Sequence, residues 1–277
     1  MPHPTPGTAT DRKPYVAGHF YPIDPARLRQ EVDAHLASGK APPRPARGIV
    51  VPHAGYMYSG AIAGAVYAAA ELPRRLVLIG PNHTGLGRPI SIMNRGAWLT
   101  PLGAARIDEA LADLILDSAN IVEADPAAHH AEHSLEVQIP FLQARVGDFT
   151  FAPICVGTGR RADLLTLAAA IAGAASTLDE PIGLVISTDM THYEPAEAAR
   201  VKDWKAIRRM ETLDGDGLHR VVREEEISMC GYAAAAAGLL ALRRLGASRA
   251  EVVAYGNSGD TSGNFDEVVG YAGLLIP

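Results

Sequence analysis

The chain has 277 residues, 48% of them apolar and 20% charged, proportions that suit a folded globule and exclude a disordered, collagen-like or coiled-coil chain. Twenty-five basic against 31 acidic side chains give a net charge of −6, which argues against nucleic acid as a partner. Two cysteines, Cys155 and Cys230, exclude a disulfide framework and suit a reducing, cytoplasmic compartment, whereas ten histidines make their placement the question to follow.

Residues 1–12 carry Pro2, Pro4 and Pro6 and no apolar run, so they read as a flexible tail, neither secretory signal nor membrane anchor. The rest, 13–277, reads as one α/β domain. A helix is predicted over 25–37. The stretch 48–70 has no Asp, Glu, Lys or Arg and is long enough to span a bilayer. Its block of Pro52, His53, Gly55, Tyr56, Tyr58, Ser59 and Gly60 instead suits a strand, a loop and a helix. The strand is Gly48-Ile-Val-Val-Pro-His53, the helix covers 61–71, and a second strand follows in Arg75-Leu-Val-Leu-Ile-Gly-Pro-Asn-His83. Together they make a βαβ-sized unit, so the sheet is expected to be parallel there.

Further helices are predicted over 107–118, 134–145, 162–175, 196–212 and 231–245, and further strands over 150–156, 251–255 and 268–275. A third run of the same grammar, Ile182-Gly-Leu-Val-Ile-Ser-Thr-Asp189-Met-Thr-His192, reads as another buried parallel strand. No internal repeat, low-complexity tract or linker interrupts the chain. The expectation is a single domain with a central, mostly parallel or mixed sheet and helices on both faces.

In open α/β sheets, ligands bind at the carboxyl ends of the parallel strands. His53, His83, Asp189 and His192 all fall at such ends, and they converge if the three strands are near neighbours. Two imidazoles and a carboxylate are a common ligand set for ferrous iron, and imidazole also suits zinc and copper. Each histidine alone reads as an ordinary loop residue; the set reads as a site. Cys230, in Ser228-Met-Cys-Gly-Tyr232, falls in the first turn of the last predicted helix with Ser228 as its cap, where the dipole favours a thiolate. Three preceding glutamates, Glu224 to Glu226, oppose that, so ligand and packing readings stand even. Cys155, inside a strand, reads as packing.

The densest polar cluster is Ala128-His-His-Ala-Glu-His-Ser-Leu-Glu136. On a helix, His129 with His133 and Glu132 with Glu136 would share faces, and Pro140 would bend or interrupt it. The order differs from the zinc-protease motif. His133 and Glu136 read as functional, while for His129 a capping role stands equal. Nucleophile elbow, Walker A and dinucleotide motifs are missing, and the polar loop Gly256 to Asn264 reads as a hairpin connection.

Taken together, these residues resemble the Memo family, called AmmeMemoRadiSam system protein B in bacteria and archaea. The motifs occur in order: Ala17-Gly-His-Phe-Tyr-Pro22, Val51-Pro-His-Ala-Gly-Tyr-Met-Tyr-Ser-Gly60, Gly80-Pro-Asn-His83, Glu132-His-Ser-Leu-Glu-Val-Gln138, Ser187-Thr-Asp-Met-Thr-His-Tyr193, Cys230-Gly, and Tyr255 with Ser258-Gly-Asp260. The family is similar to the class III extradiol dioxygenases, and the resemblance implies their α/β fold and a non-haem metal site. It implies His53, His83 and Cys230 as ligands, with Asp189 and His192 lining the pocket. Iron(II) is then the leading metal, with copper or zinc as alternatives, in a dioxygenase-like redox protein whose substrate is unidentified. His192 would act as acid/base, oriented by Asp189, beside His133 and Glu136. A radical-SAM protein and an AMMECR-type protein are the implied partners. Two departures stand out: cysteine or Asp189 occupies the place of the ring-cleaving enzymes' glutamate, and Phe20 replaces a tryptophan of animal members linked to phosphotyrosine-peptide binding. Two other readings follow, a non-catalytic module presenting the pocket to a peptide or partner protein, and a zinc metallohydrolase using Asp189 and His192 as ligands.

Overall fold

A computed structural model describes residues 11–277. The first ten residues of the expected tail lie outside the described residues. Its last two are packed into the domain, with Arg12 only 2% exposed, so folded contacts start ahead of the expected boundary at residue 13.

The helix Pro25–Ala37 forms where predicted because Asp24 caps it, accepting from the Arg27 N–H, and Pro25 supplies a preset first turn. The charge-free stretch resolves into the strand Gly48–Val51, a loop, and the helix Tyr56–Ala69. That helix starts five residues before the predicted one, because Tyr56, Ser59 and Gly60 are buried against the domain rather than spent on a turn. Among the described residues no helix is long and apolar enough to cross a membrane.

At the centre of a mixed, eleven-stranded sheet lie four parallel strands, in the order Gly48–Val51, Ile182–Ser187, Arg75–Pro81 and Thr150–Val156. The strand Ile182–Ser187 thus lies between the two strands of the βαβ unit. Val268–Ile276 extends the sheet antiparallel beyond Gly48–Val51, and Glu251–Asn257 pairs outside it. All residues of Gly48–Val51 and Ile182–Ser187 are buried, as expected for parallel strands covered on both faces.

Side chains still alternate between two cores. Val50, Val77, Ile79, Leu184 and Ile186 face helices Glu109–Ser118, Arg161–Thr177, Gly215–Glu224 and Tyr232–Arg244. Ile49, Val51, Leu76, Leu78 and Val185 face Pro25–Ala37, Tyr56–Ala69 and Ile139–Arg145. Each fully buried Ile, Leu or Val contributes roughly 1.5–3 kcal/mol of transfer free energy, so the strands that carry the polar ends are anchored from both sides.

Two expectations fail locally. The helix predicted over 134–145 is a 3-10 turn, Glu136–Gln138, followed by Ile139–Arg145. Upstream, Ala127–His130 is a separate single turn, so His129 and His133 share no helix face. The last long helix begins at Tyr232, with Gly231 as its cap position. Cys230 therefore precedes the helix instead of sitting in its first turn, and the Ser228 hydroxyl accepts from the His192 N–H rather than capping it.

Candidate metal centre

The pairing register lines up the strand ends. Ser187 is level with Val51, and Ile186 with Ile79, so the loops carrying His53, His83 and Asp189 leave the sheet side by side. The convergence expected from the sequence is present. His53, His83 and His133 each offer a ring nitrogen, all within 4.8 Å of one another, a group able to hold a metal ion. His53 forms the buried floor. The His83 and His133 rings stack 4.6 Å apart, and the Phe20 ring lies 4.8 Å from His133.

Hydrogen bonds behind the imidazoles fix which nitrogen faces the pocket. The Ser187 hydroxyl donates to the Ser134 carbonyl at 2.7 Å, so its oxygen is left to accept from His53 Nδ1 at 2.9 Å. Gln138 reinforces that seat, its amide donating to the Pro52 carbonyl at 2.9 Å and to the Ser187 oxygen at 3.2 Å while its Oε1 accepts from Tyr67. With Nδ1 protonated, His53 presents a bare Nε2 to the pocket. Burial, then the neighbouring imidazoles His133, His83 and His192, push its pKa well down, so it is neutral and able to ligate.

Glu132 plays the corresponding part for His83. Its carboxylate accepts from His83 Nδ1 at 2.9 Å, from the His83 N–H and, at 2.8 Å, from the Ser134 N–H. Burial would raise the pKa of Glu132, but the bond and charge of His83 outweigh it and hold the acid at about 2. The same contact raises His83 against its own desolvation. An ionised carboxylate behind a histidine orients the ring and strengthens it as a ligand.

Cys230 Sγ lies 3.2 Å from His53 Nε2. Its approach depends on Gly231, where a Cβ would stand 2.6 Å from the Ser187 carbonyl and Thr188 Cβ. Burial and the charge of Asp189 push the thiol pKa up, so without an ion it is protonated and donates to His53. Asp189 Oδ1 accepts from the His53 N–H at 2.7 Å, and Oδ2 is 4.0 Å from His53 Nε2. Burial lifts this acid to about 7 against the bonds from His53 and Ala54. His192 binds the Met190 carbonyl through Nδ1 at 2.7 Å, leaving Nε2 bare, and burial lowers its pKa.

Of the residues singled out in the sequence, the fold thus gathers His53, His83, His133, Asp189 and Cys230, with His192 close enough for its charge to act on His53. Glu136 is turned away. Its carboxylate accepts from the Tyr15 and Val16 N–H groups and the Tyr21 hydroxyl, and pairs with Arg12 at 2.7 Å, so it is spent on the scaffold. His129 is also outside, fully buried beside Cys155. Sequence reasoning missed Glu132, Ser187 and Gln138 as the groups that orient the imidazoles; the clue lay in Glu132 being one residue from His133.

The Memo-like protein family matches residues 12–275. A MEMO1 family protein of Methanopyrus kandleri is 40% identical, covering 96% of this chain and 99% of its own. One from Methanosarcina barkeri is 41% identical, again over 96% and 99%. Among solved structures, an uncharacterized protein of Escherichia coli K12 superposes with a TM-score of 0.53 at 15% identity, covering 83% of this chain and 99% of its own, a likeness of fold alone.

Proposed function

The chain belongs to the Memo-like family, and from the donor set at its strand ends we propose that it is a non-haem metal protein of redox type acting on a small molecule. The observation that carries this reading is the preset tautomer pair: Ser187 and Glu132 each hold an Nδ1–H, so His53 and His83 both present Nε2. His133 supplies the third nitrogen, and Cys230 stands beside them as a soft fourth donor. Imidazoles with one thiol suit iron(II) or copper better than magnesium or calcium, and iron(II) is the leading assignment. Such an ion would supply a binding place for oxygen or substrate and a path for electrons.

The chain's own groups then handle protons. His192 Nε2, bare because Nδ1 is tied to Met190, is placed to accept a proton from a bound substrate. Asp189, poised near neutrality, can hold or release one beside His53. His53 sits on the buried floor, while partly exposed His83 and His133 leave the outer side open to a ligand.

Anaerobic purification with metal analysis tests the reading, and equal trace metal in wild type and His53→Ala would sink it. Cobalt(II) reports the thiol: a sulfur-to-cobalt charge-transfer band absent in Cys230→Ser would place Cys230 in the coordination sphere. A zinc hydrolase is the second reading, favoured by the three-imidazole set, which is also a zinc set. Zinc retained at one equivalent, with no oxygen consumption under any reductant, would favour it over iron.

A further inference from the structure

We propose that Arg12 is a positioning residue for the imidazole cluster, its guanidinium fixing the backbone of residues 129–136 so that Glu132 and His133 meet His83 and His53. The consequence for metal rests on the site reading above; the consequence for the backbone does not.

Arg12 lies far from the pocket in sequence and is buried. Its Nε donates to the His129 carbonyl at 2.6 Å, and one terminal nitrogen donates to the Glu132 carbonyl at 2.8 Å. The same nitrogen pairs with Glu136 at 2.7 Å. The face of the guanidinium rests 4.3 Å from the centre of the Trp98 ring. Backbone bonds from Arg12 N–H to the Ala97 carbonyl, and from Leu99 N–H to the Arg12 carbonyl, tie this residue to the strand Ala97–Thr100. Arg12 is therefore a fixed point, and the segment 129–136 hangs from it.

That segment needs holding. Its helical content is one short turn before Ala131, so it has no ladder of its own to set its shape. Yet it delivers the carboxylate that seats His83, the ring of His133, and the Ser134 carbonyl that orients Ser187 behind His53. Two of its carbonyls, at His129 and Glu132, are gripped by one planar cation whose donors diverge at a fixed angle. A lysine in this place could keep the pair with Glu136 but could not span both carbonyls. A buried charge pair is itself weak evidence for stability; the bonds to two carbonyls of the segment point instead to geometry as what the guanidinium supplies.

Arg12→Lys separates the two roles. Hydrogen exchange of the metal-free protein, read by mass spectrometry on peptides covering 80–86 and 129–138, should rise about tenfold or more. Helix Tyr232–Arg244 should keep its wild-type protection. Cobalt(II) affinity should fall roughly 10- to 100-fold, as for loss of a group behind a metal ligand. If Arg12→Lys does not fold, the double variant Arg12→Met with Glu136→Gln removes both buried charges together, and the same changes are expected. Wild-type exchange at both peptides in a folded variant would overturn the proposal, as would a uniform loss of protection across the chain. If the wild type binds no cobalt(II), the metal reading fails, and exchange at the two peptides still decides whether Arg12 positions the segment.

Discussion

Among the described residues two thiol–imidazole pairs have nearly equal length, and one of the two opens on the candidate metal centre. Cys230 lies 3.2 Å from His53, and Cys155 lies 3.3 Å from His129. The second pair is sealed, because both residues are fully buried. Burial and the nearby Arg12 cation hold His129 down to about 3, and burial drives the Cys155 thiol well up. The first pair has two more imidazoles and an acid near neutrality within reach, and an open side. A thiol near a histidine is thus no sign of function by itself; convergence of further donors with access to solvent is.

The sharpest way to break that contrast is to remove one histidine from each pair. His53→Ala should lower metal affinity more than about 100-fold, because it removes a ligand outright, while His129→Ala should leave metal stoichiometry at the wild-type value. Equal loss from the two variants would erase the distinction. A smaller effect, about 10- to 100-fold in metal affinity, is expected of Glu132→Gln. The amide can keep one contact with His83 but supplies no charge to strengthen the ring. Isothermal titration with cobalt(II) measures both.

His53, His83, Asp189 and His192 could be picked out in the sequence because each follows an apolar run that suits a buried strand. Sheet topology then does the rest, since the register places those ends level. His133 was legible only as one member of a polar cluster, and its expected helical pairing with His129 fails. The chain breaks after His130 and re-forms at Glu136, which sends His129 to the core and His133 to the pocket. Glu136 was expected in the pocket for the same reason and is spent on Arg12 and the 15–21 segment instead. Arg12 carried no local signal, because the carbonyls it grips, at His129 and Glu132, lie more than a hundred positions away. Cys230 stood even on its residues alone, and the family resemblance, not the spacing, directed attention to it.

Acid should separate the pairs next. An unfolded histidine titrates near 6.5, whereas folded His129 stays neutral down to about 3. Between those values the unfolded chain binds a proton that the folded chain refuses, so His129 subtracts stability as the pH falls through that window and nothing above it. Urea unfolding of wild type and His129→Gln at pH 7 and pH 5 isolates the effect. The wild type should lose roughly 2 kcal/mol more than the variant over that interval. A parallel decline in the two proteins would mean that His129 is protonated in the fold, and that the sealed pair is less sealed than its burial indicates.

The cysteines themselves should give the smallest effects and the most specific ones. Cys155 fills core space beside His129, so Cys155→Ala should cost about 1–2 kcal/mol of stability through a small cavity and a lost contact to His129. It should leave cobalt(II) binding unchanged. Cys230 has part of its surface open, so Cys230→Ala should cost under about 1 kcal/mol while removing any sulfur-to-cobalt band. The thiols should also differ in alkylation by iodoacetamide. Cys155 has no access and no thiolate. Cys230 has access, so the metal-free protein reacts there slowly, through the small thiolate fraction that its raised pKa leaves. Alkylation should therefore be confined to Cys230 and slowed when cobalt(II) is present, because coordination draws electron density from the sulfur and shields it. Modification of Cys155 in the folded protein, or of Cys230 at the same rate with and without metal, would reverse the assignment of one pair to the core and the other to the site.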